Sequence, residues 1–323
     1  MQVCSSLKLQ KEYSVEVTAV PPYSFELTVN KPAGWWWSTP DEIFKDDTFW
    51  TATRFRNTLL GLKLKSAGTM QKPKIQCTIF SQTELNPAKQ QDVTHMLKRA
   101  LRTEEDLTEF YTLAKEDSIL KTVVEDLYGM RTAAWPELFP ALILAVTLQI
   151  APMTRANQMM ELLISGFGDQ ATFDGKTIRY WPSPDKIIVS TVDDLMAKAK
   201  LGYRAKNLTA IAKTLQQGFP AMDDLWAMNA EEAKQKLLTL RGIGDYSADI
   251  IVPGMGFPID VWSAKIFHIL FFGEKPENPR QAIPLLKETA EKRWGKWQGY
   301  AFVYILNDLP NLSKKIGVDL TQF

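Results

Sequence analysis

A lone carboxylate, Asp260, stands in an apolar stretch, Pro258-Ile259-Asp260-Val261-Trp262-Ser263-Ala264, just ahead of a segment with helical periodicity. An Asp in that place is an ordinary helix N-cap, worth about 1 kcal/mol. The same cap would hold the carboxylate in one orientation, as catalysis requires. Sixteen positions upstream of it lies Gly244, in the run Arg241-Gly242-Ile243-Gly244. Two glycines flanking one apolar residue allow a tight hairpin whose backbone can approach another molecule closely. Asp245 can cap the helix that follows. The amides around Gly242 to Tyr246 then point outward at a positive helix end, which is a place for a phosphate.

The surrounding elements must hold this pair in place. Asn229 reads as an N-cap with Glu232 completing a capping box, and Leu237, Leu238 and Leu240 supply an apolar face until the glycines end the helix. Helical patterning begins near residue 90. Thr103, followed by Glu104, Glu105 and Asp106, opens one helix, and another starts at Ser118. A segment from Pro136 to Ile150 is apolar on nearly every side, so it belongs in the middle of a helical core. Residues 174–193 read as a polar connection, Leu201 to Leu208 opens a further helix, and Trp294, Trp297, Tyr300 and Tyr304 mark an aromatic-rich one. Ahead of all this, residues 13–30, Trp35-Trp36-Trp37, Phe49 to Ala52 and Ile75 to Phe80 carry strand patterning broken by turn residues. Three tryptophans in a strand would face alternately, which favours sheet packing or a domain seam over a base-stacking platform. The fold class is therefore α+β: a small antiparallel β domain, 1–85, precedes a mainly helical body, 86–323, with the hairpin at 229–255.

Bulk composition limits the function classes. A chain of 323 residues, 45% hydrophobic, is ample for two or three packed subdomains. Its net charge of +1 gives no global attraction for nucleic acid, so any such role rests on a local patch. Two cysteines, Cys4 and Cys77, cannot build a four-cysteine zinc or iron–sulfur centre. His95 and His268 sit in no nucleophilic constellation. No signal peptide and no membrane-length apolar run is legible, so a soluble, intracellular protein with no membrane partner is expected.

Leu237-x-x-Leu240-Arg-Gly-Ile-Gly-Asp-Tyr-Ser-Ala248, followed by Pro258-Ile-Asp-Val261, resembles the helix-hairpin-helix DNA glycosylases. The resemblance implies that Gly242, Ile243, Gly244, Tyr246 and Ser247 grip the DNA backbone and that Asp260 carries the chemistry. The hairpin-to-Asp connection is a few residues shorter than in the better-known members. Gly202-x-Arg204-Ala205-x-x-Leu208 fits the same family, which makes Arg204 and Lys206 phosphate contacts or a solvated helix start. Lys265 is a phosphate contact or a surface residue. The helix end at Gln149-Ile150 resembles the family's gap-filling segment, with Pro152 where Ser is common; plain helix termination is the alternative. Trp297-x-x-Tyr300-Ala301 resembles the closing helix that walls the base pocket, with Tyr246 and Trp262 as further pocket residues. The family needs no cofactor, although its hairpin can hold a monovalent cation, Na or K, through backbone carbonyls; here these are Leu238, Leu240 and Ile243.

Breaking an N-glycosidic bond builds positive charge on the sugar, and a nearby carboxylate stabilises that charge and orients water. The base must first leave the stack, which costs least for a damaged or mispaired one. Strand-nicking members carry a Lys two residues after the second hairpin glycine, and that amine forms a Schiff base. Tyr246 stands there instead. The expectation is a monofunctional, monomeric glycosylase of base excision repair. It would act on double-stranded DNA containing a damaged base, use water, and leave an abasic site. The aromatic at 246 resembles the alkylation-repair branch, whose pockets stack cationic purines such as 3-methyladenine. The alternatives are a bifunctional 8-oxoguanine glycosylase/lyase and a non-catalytic hairpin protein that only binds DNA.

Overall fold

The computed structural model describes residues 6–252 and 256–322; Cys4 and positions 253–255 of the expected hairpin segment lie outside the described residues. The chain opens with β1 (Leu7–Lys8), β2 (Lys11–Thr18), α1 (Phe25–Val29), β3 (Ile43–Lys45), β4 (Thr48–Phe55), β5 (Thr58–Ser66) and β6 (Lys74–Ser81). Then come α2 (Pro87–Ala100), α3 (Thr108–Glu116), α4 (Ser118–Asp126), α5 (Leu138–Leu148), α6 (Met153–Phe167), β7 (Asp169–Phe173) and β8 (Lys176–Tyr180). The rest is helical: α7 (Pro184–Val189), α8 (Val192–Lys198), α9 (Arg204–Gln216), α10 (Met222–Ala227), α11 (Ala230–Leu238) and α12 (Asp245–Ile251). It closes with α13 (Val261–Phe272), α14 (Pro279–Trp294), α15 (Gln298–Asn307) and α16 (Leu309–Ile316). The fold is α+β as expected, with a five-stranded antiparallel sheet in the order β2-β6-β5-β4-β3.

Tight two-residue turns build this sheet. Asp46-Asp47 and Arg56-Asn57 are left-handed at both positions, the geometry that matches strand twist. Asp174-Gly175 turns the same way and pairs β7 with β8, while β1 joins them in parallel through Leu7 and Ala171. Residues 174–193 are thus not one polar connection. The Asp-Gly turn makes a hairpin, and Ser183 and Thr191 then cap α7 and α8.

Two more expectations are corrected in the N-terminal half. Ser24 to Val29 is not a strand: Ser24 caps α1 through its side chain, and Phe25, Thr28 and Val29 are buried at helical spacing. The helix expected from Thr103 begins instead at Thr108, where Asp106 accepts from the Thr108 amide (2.8 Å) and hydroxyl (2.6 Å).

Trp35 to Trp37 lie outside the strands. Trp36 packs edge-on to Trp135 (5.9 Å) and tilted against Trp181 (5.7 Å), and the Trp37 indole donates to the Ala134 carbonyl (2.7 Å). They form a seam between the sheet and the helical body. Glu42 braces it by accepting from the amides of Trp37 (2.8 Å), Ser38 (2.5 Å) and Thr39 (3.2 Å). Burial pushes its carboxyl up to about 7 and pushes the neighbouring Lys31 down to about 8. Arg131 fastens the same seam, donating to the carbonyls of Val20, Pro22, Glu105 and Gly129 from a fully buried position.

Three cores result. One lies under the sheet with α2, a second fills the space among α5, α6, α9, α11 and α12, and a third joins α3 and α4 to α13, α14, α15 and α16. The hairpin belongs to the second core, whereas the helix that Asp260 caps belongs to the third.

Candidate functional site

Asp260 is the N-cap of α13. Its Oδ1 accepts from the Ser263 amide (2.7 Å) and hydroxyl (2.7 Å), and its own amide donates to Ser263 Oγ (2.9 Å). This reciprocal box fixes the carboxylate on one oxygen. Oδ2 accepts no hydrogen bond among the described residues, so its lone pairs remain available. Ala264, Ile266, Phe267 and Ile269 bury α13 on several sides, which makes the cap a rigid mount.

Tyr246, the second residue of α12, is half-buried. Burial and then the negative charge of Asp260 push its phenol well above the ordinary value, so it stays protonated. The charge of Asp260 is thus felt at Tyr246, although the two residues lie fourteen apart in sequence. The hairpin itself turns at Gly242, whose φ of +79° is left-handed, with Leu237, Leu240 and Ile243 buried beneath. Gly244, not Asp245, is the N-cap of α12. Asp245 is the first helical residue and pairs with Lys234 (3.0 Å). The first backbone bond back into α12 is Ala248 to the Gly244 carbonyl, so the amides of Asp245, Tyr246 and Ser247 precede the ladder.

The end of α5 meets this hairpin. Gln149 Nε2 donates to the Gly242 carbonyl (2.5 Å) and reaches Ser247 Oγ (3.2 Å). Next to it Ile150 is 91% exposed with a left-handed φ of +47°. The two gap-filling candidates therefore part: Gln149 braces the hairpin, and Ile150 projects. Ser247 is buried, and its hydroxyl is the acceptor that Gln149 reaches. Arg204 is buried as well. Its guanidinium donates to the carbonyls of Val146 (3.2 Å) and Gln149, where it ties down the end of α5 rather than waiting for a phosphate.

Tyr203, which sequence reasoning passed over, is 54% exposed and stacks on the Arg204 guanidinium (4.7 Å). The one signal was an aromatic between Gly202 and Arg204, and only the fold leaves it exposed. Lys206 is exposed, and Lys265 is half-buried without an ion pair among the described residues. Trp262 is 40% exposed at the start of α13. Tyr300 departs from expectation. It is buried against Phe110, Trp297 and Tyr304, and its hydroxyl donates to Glu105, beside a polar hollow of about 680 Å³ that Arg102 and Lys296 also line. Its ring contacts involve neither Tyr246 nor Asp260, so it supports the third core, the one that joins α3 and α4 to α13–α16.

The carbonyls of Leu238 and Ile243 accept nothing among the described residues, and that of Leu240 accepts only the Ile243 amide (3.1 Å). Each has a lone pair to offer a cation. No cluster of His, Cys, Asp or Glu able to hold a metal occurs among the described residues, and no helix among them is long and apolar enough to cross a membrane.

No family model matches the chain. It is 27% identical over 226 residues, covering 67% of this chain and 72% of its relative, to the DNA-3-methyladenine glycosylase of Bacillus subtilis. The structure is similar to that of 3-methyladenine DNA-glycosylase from Archaeoglobus fulgidus, with a TM-score of 0.70 and 16% identity over 91% of this chain and 98% of that one. It is also similar to the 8-oxoguanine glycosylase/lyase of Clostridium acetobutylicum in complex with double-stranded DNA (TM-score 0.66, 16% identity, 98% of this chain and 99% of that one).

Proposed function

We infer that this chain, whose relatives and structural neighbours are helix-hairpin-helix DNA glycosylases, is a DNA N-glycosylase of DNA repair, and we propose that it is monofunctional and releases alkylated purines. The observation that carries the finer reading is Tyr246. An aromatic phenol, held protonated beside Asp260, occupies the position from which a lyase would present its amine. In this reading the hairpin amides from Gly242 to Ser247, apart from that of Ile243, which is spent on the Leu240 carbonyl, take a phosphate of the damaged strand, with Lys265 and Lys206 adding charge. The extruded base stacks between Tyr246 and Trp262, whose π faces attract a cationic purine. The free Oδ2 of Asp260 faces the sugar, stabilises positive charge as the C1′–N bond breaks, and orients the water that adds to C1′. The departing base keeps the bond's electron pair, and the water's proton passes to the carboxylate or to solvent. A sodium or potassium ion on the carbonyls of Leu238, Leu240 and Ile243 would stiffen the hairpin without entering the chemistry. We also propose the sheet domain, 1–85, and the helical body, 86–323, as the units of the chain, working as a monomer.

Ile150 and Tyr203 are the proposed occupants of the gap, one filling the vacated stack and the other stacking on the opposite strand. Tyr203→Ala is expected to slow single-turnover base release about fivefold, at the low end of the roughly 1–3 kcal/mol of base–aromatic stacking. A 2-aminopurine placed opposite the lesion reads its stacking directly. An unchanged signal and rate would remove Tyr203 from the DNA face.

The deciding experiment is base release from duplexes that each carry one lesion: alkylated adenine, hypoxanthine, ethenoadenine, uracil or 8-oxoguanine. Each is run with and without hot alkali. Strand cleavage only after alkali, strongest on the alkylated purine, is the expected result. Breaks without alkali, with a borohydride-trapped adduct, would favour the bifunctional lyase. Tight duplex binding with silence across the panel would favour the non-catalytic binder.

A further inference from the structure

Asp249 is a charged residue on the inner face of α12, with its side chain 2% exposed. A carboxylate so buried is tolerated only with close partners of opposite charge. It has two, from different helices: Lys234 of α11 lies 3.0 Å from Oδ1 and Lys287 of α14 lies 3.4 Å from Oδ2. Lys234 also holds Asp245 at the start of the hairpin helix (3.0 Å). Ala248 and Ile251, which flank Asp249 on α12, pack in the core that contains the hairpin. Leu286 and Ala290, which flank Lys287 on α14, pack in the core that contains α13. The Asp249–Lys287 pair therefore ties one core to the other. The chain leading to Asp260 completes the joint, since Gly256 passes directly over the carboxylate. A Cβ added there would lie 2.5 Å from Asp249 Oδ1.

We propose that Asp249 is a positioning residue for base release. It sets the Gly256–Asp260 segment against the hairpin, so that the strand gripped by the hairpin presents its sugar to Asp260. The proposal rests on the glycosylase reading above. It also accounts for the short connection between hairpin and acid, because a chain that crosses one fixed carboxylate needs no longer loop to find its register. Lys287 serves the same joint from the far side, and its side chain is 37% exposed, so replacing it opens no cavity.

Asp249→Asn, Lys287→Met and Lys287→Arg test this on the lesion that the native chain releases fastest. Three quantities are read: the single-turnover rate, affinity for a duplex with a tetrahydrofuran abasic analogue, and thermal midpoint. The first two variants are expected to lose about tenfold in rate, as small misplacements of reacting groups do. Affinity should stay near the native value, and Lys287→Arg should recover most of the rate. Unchanged rates in folded variants would overturn the proposal. So would rate and affinity falling in step with the thermal midpoint, which is the mark of a merely structural pair. If Asp249→Asn does not fold, Lys287→Met decides alone, with the Asp249–Lys234 pair intact. A native chain inactive on every lesion overturns the glycosylase reading and this proposal with it, whereas an active native chain with unaffected variants overturns only this one.

Discussion

Asp260→Asn is expected to slow single-turnover base release by on the order of 10²–10³-fold, the usual cost of losing a group aimed at charge that develops in the transition state. Duplex affinity and thermal midpoint should hardly move. The separation is possible because the cap and the proposed catalytic duty of Asp260 fall on different oxygens. Oδ1 caps α13 through Ser263, and an Asn carbonyl caps a helix about as well as a carboxylate does. Oδ2 accepts nothing from the described residues, and an uncharged amide in its place can neither stabilise a cationic sugar nor orient water through a negative charge. Asp260→Ala is the companion measurement. It removes the cap as well and should cost about 1 kcal/mol of stability on top of the activity. Asp260→Asn protein that still releases base at the native rate would take the acid's role away from this residue.

Gly242→Ala is expected to weaken duplex binding roughly tenfold and to lower stability by about 1–2 kcal/mol, the cost of holding a residue with a Cβ in the left-handed region. The φ of +79° is set by the turn and cannot relax without moving the hairpin. The new Cβ would also lie 2.4 Å from Asn207 Nδ2 and 2.8 Å from its Cγ, so the Asn207 side chain must swing away. The Gly242 carbonyl is the acceptor of Gln149, so a shifted turn also disturbs the brace that holds Ile150 out. Titrating the variant with an abasic-analogue duplex, beside a thermal melt, checks both halves. An affinity equal to native would mean that the hairpin backbone is not the grip. The same substitution at Gly244 should cost far less, because that residue is in extended backbone and a Cβ there meets nothing.

The parts of this molecule legible in its sequence are those whose causes are local. Asn229 caps α11, Gly242 turns the hairpin, and Asp260 caps α13, each through bonds that span three or four residues. A capping side chain or a left-handed glycine requires nothing from elsewhere in the chain, so its residue type is sufficient warning. Local reading failed where two local preferences competed. Ser24 to Val29 alternates like a strand, but its buried set, 25, 28 and 29, has helical spacing, and the cap at Ser24 decides the matter.

Tertiary structure settled which polar groups are spent inside and which are left for a ligand. Arg204 looked like a phosphate contact and is consumed by two carbonyls of the α5 terminus, while its neighbour Tyr203 is left exposed. Gln149 and Ile150 were indistinguishable as neighbours until the hairpin, ninety-three residues away, took one and left the other out. Asp249 gave no sign in the sequence, since Lys234, Gly256 and Lys287 converge on it only in three dimensions. The physical reason is the same in each case. A buried hydrogen-bonding or charged group must find its partner wherever packing brings one, and packing is a property of the whole chain.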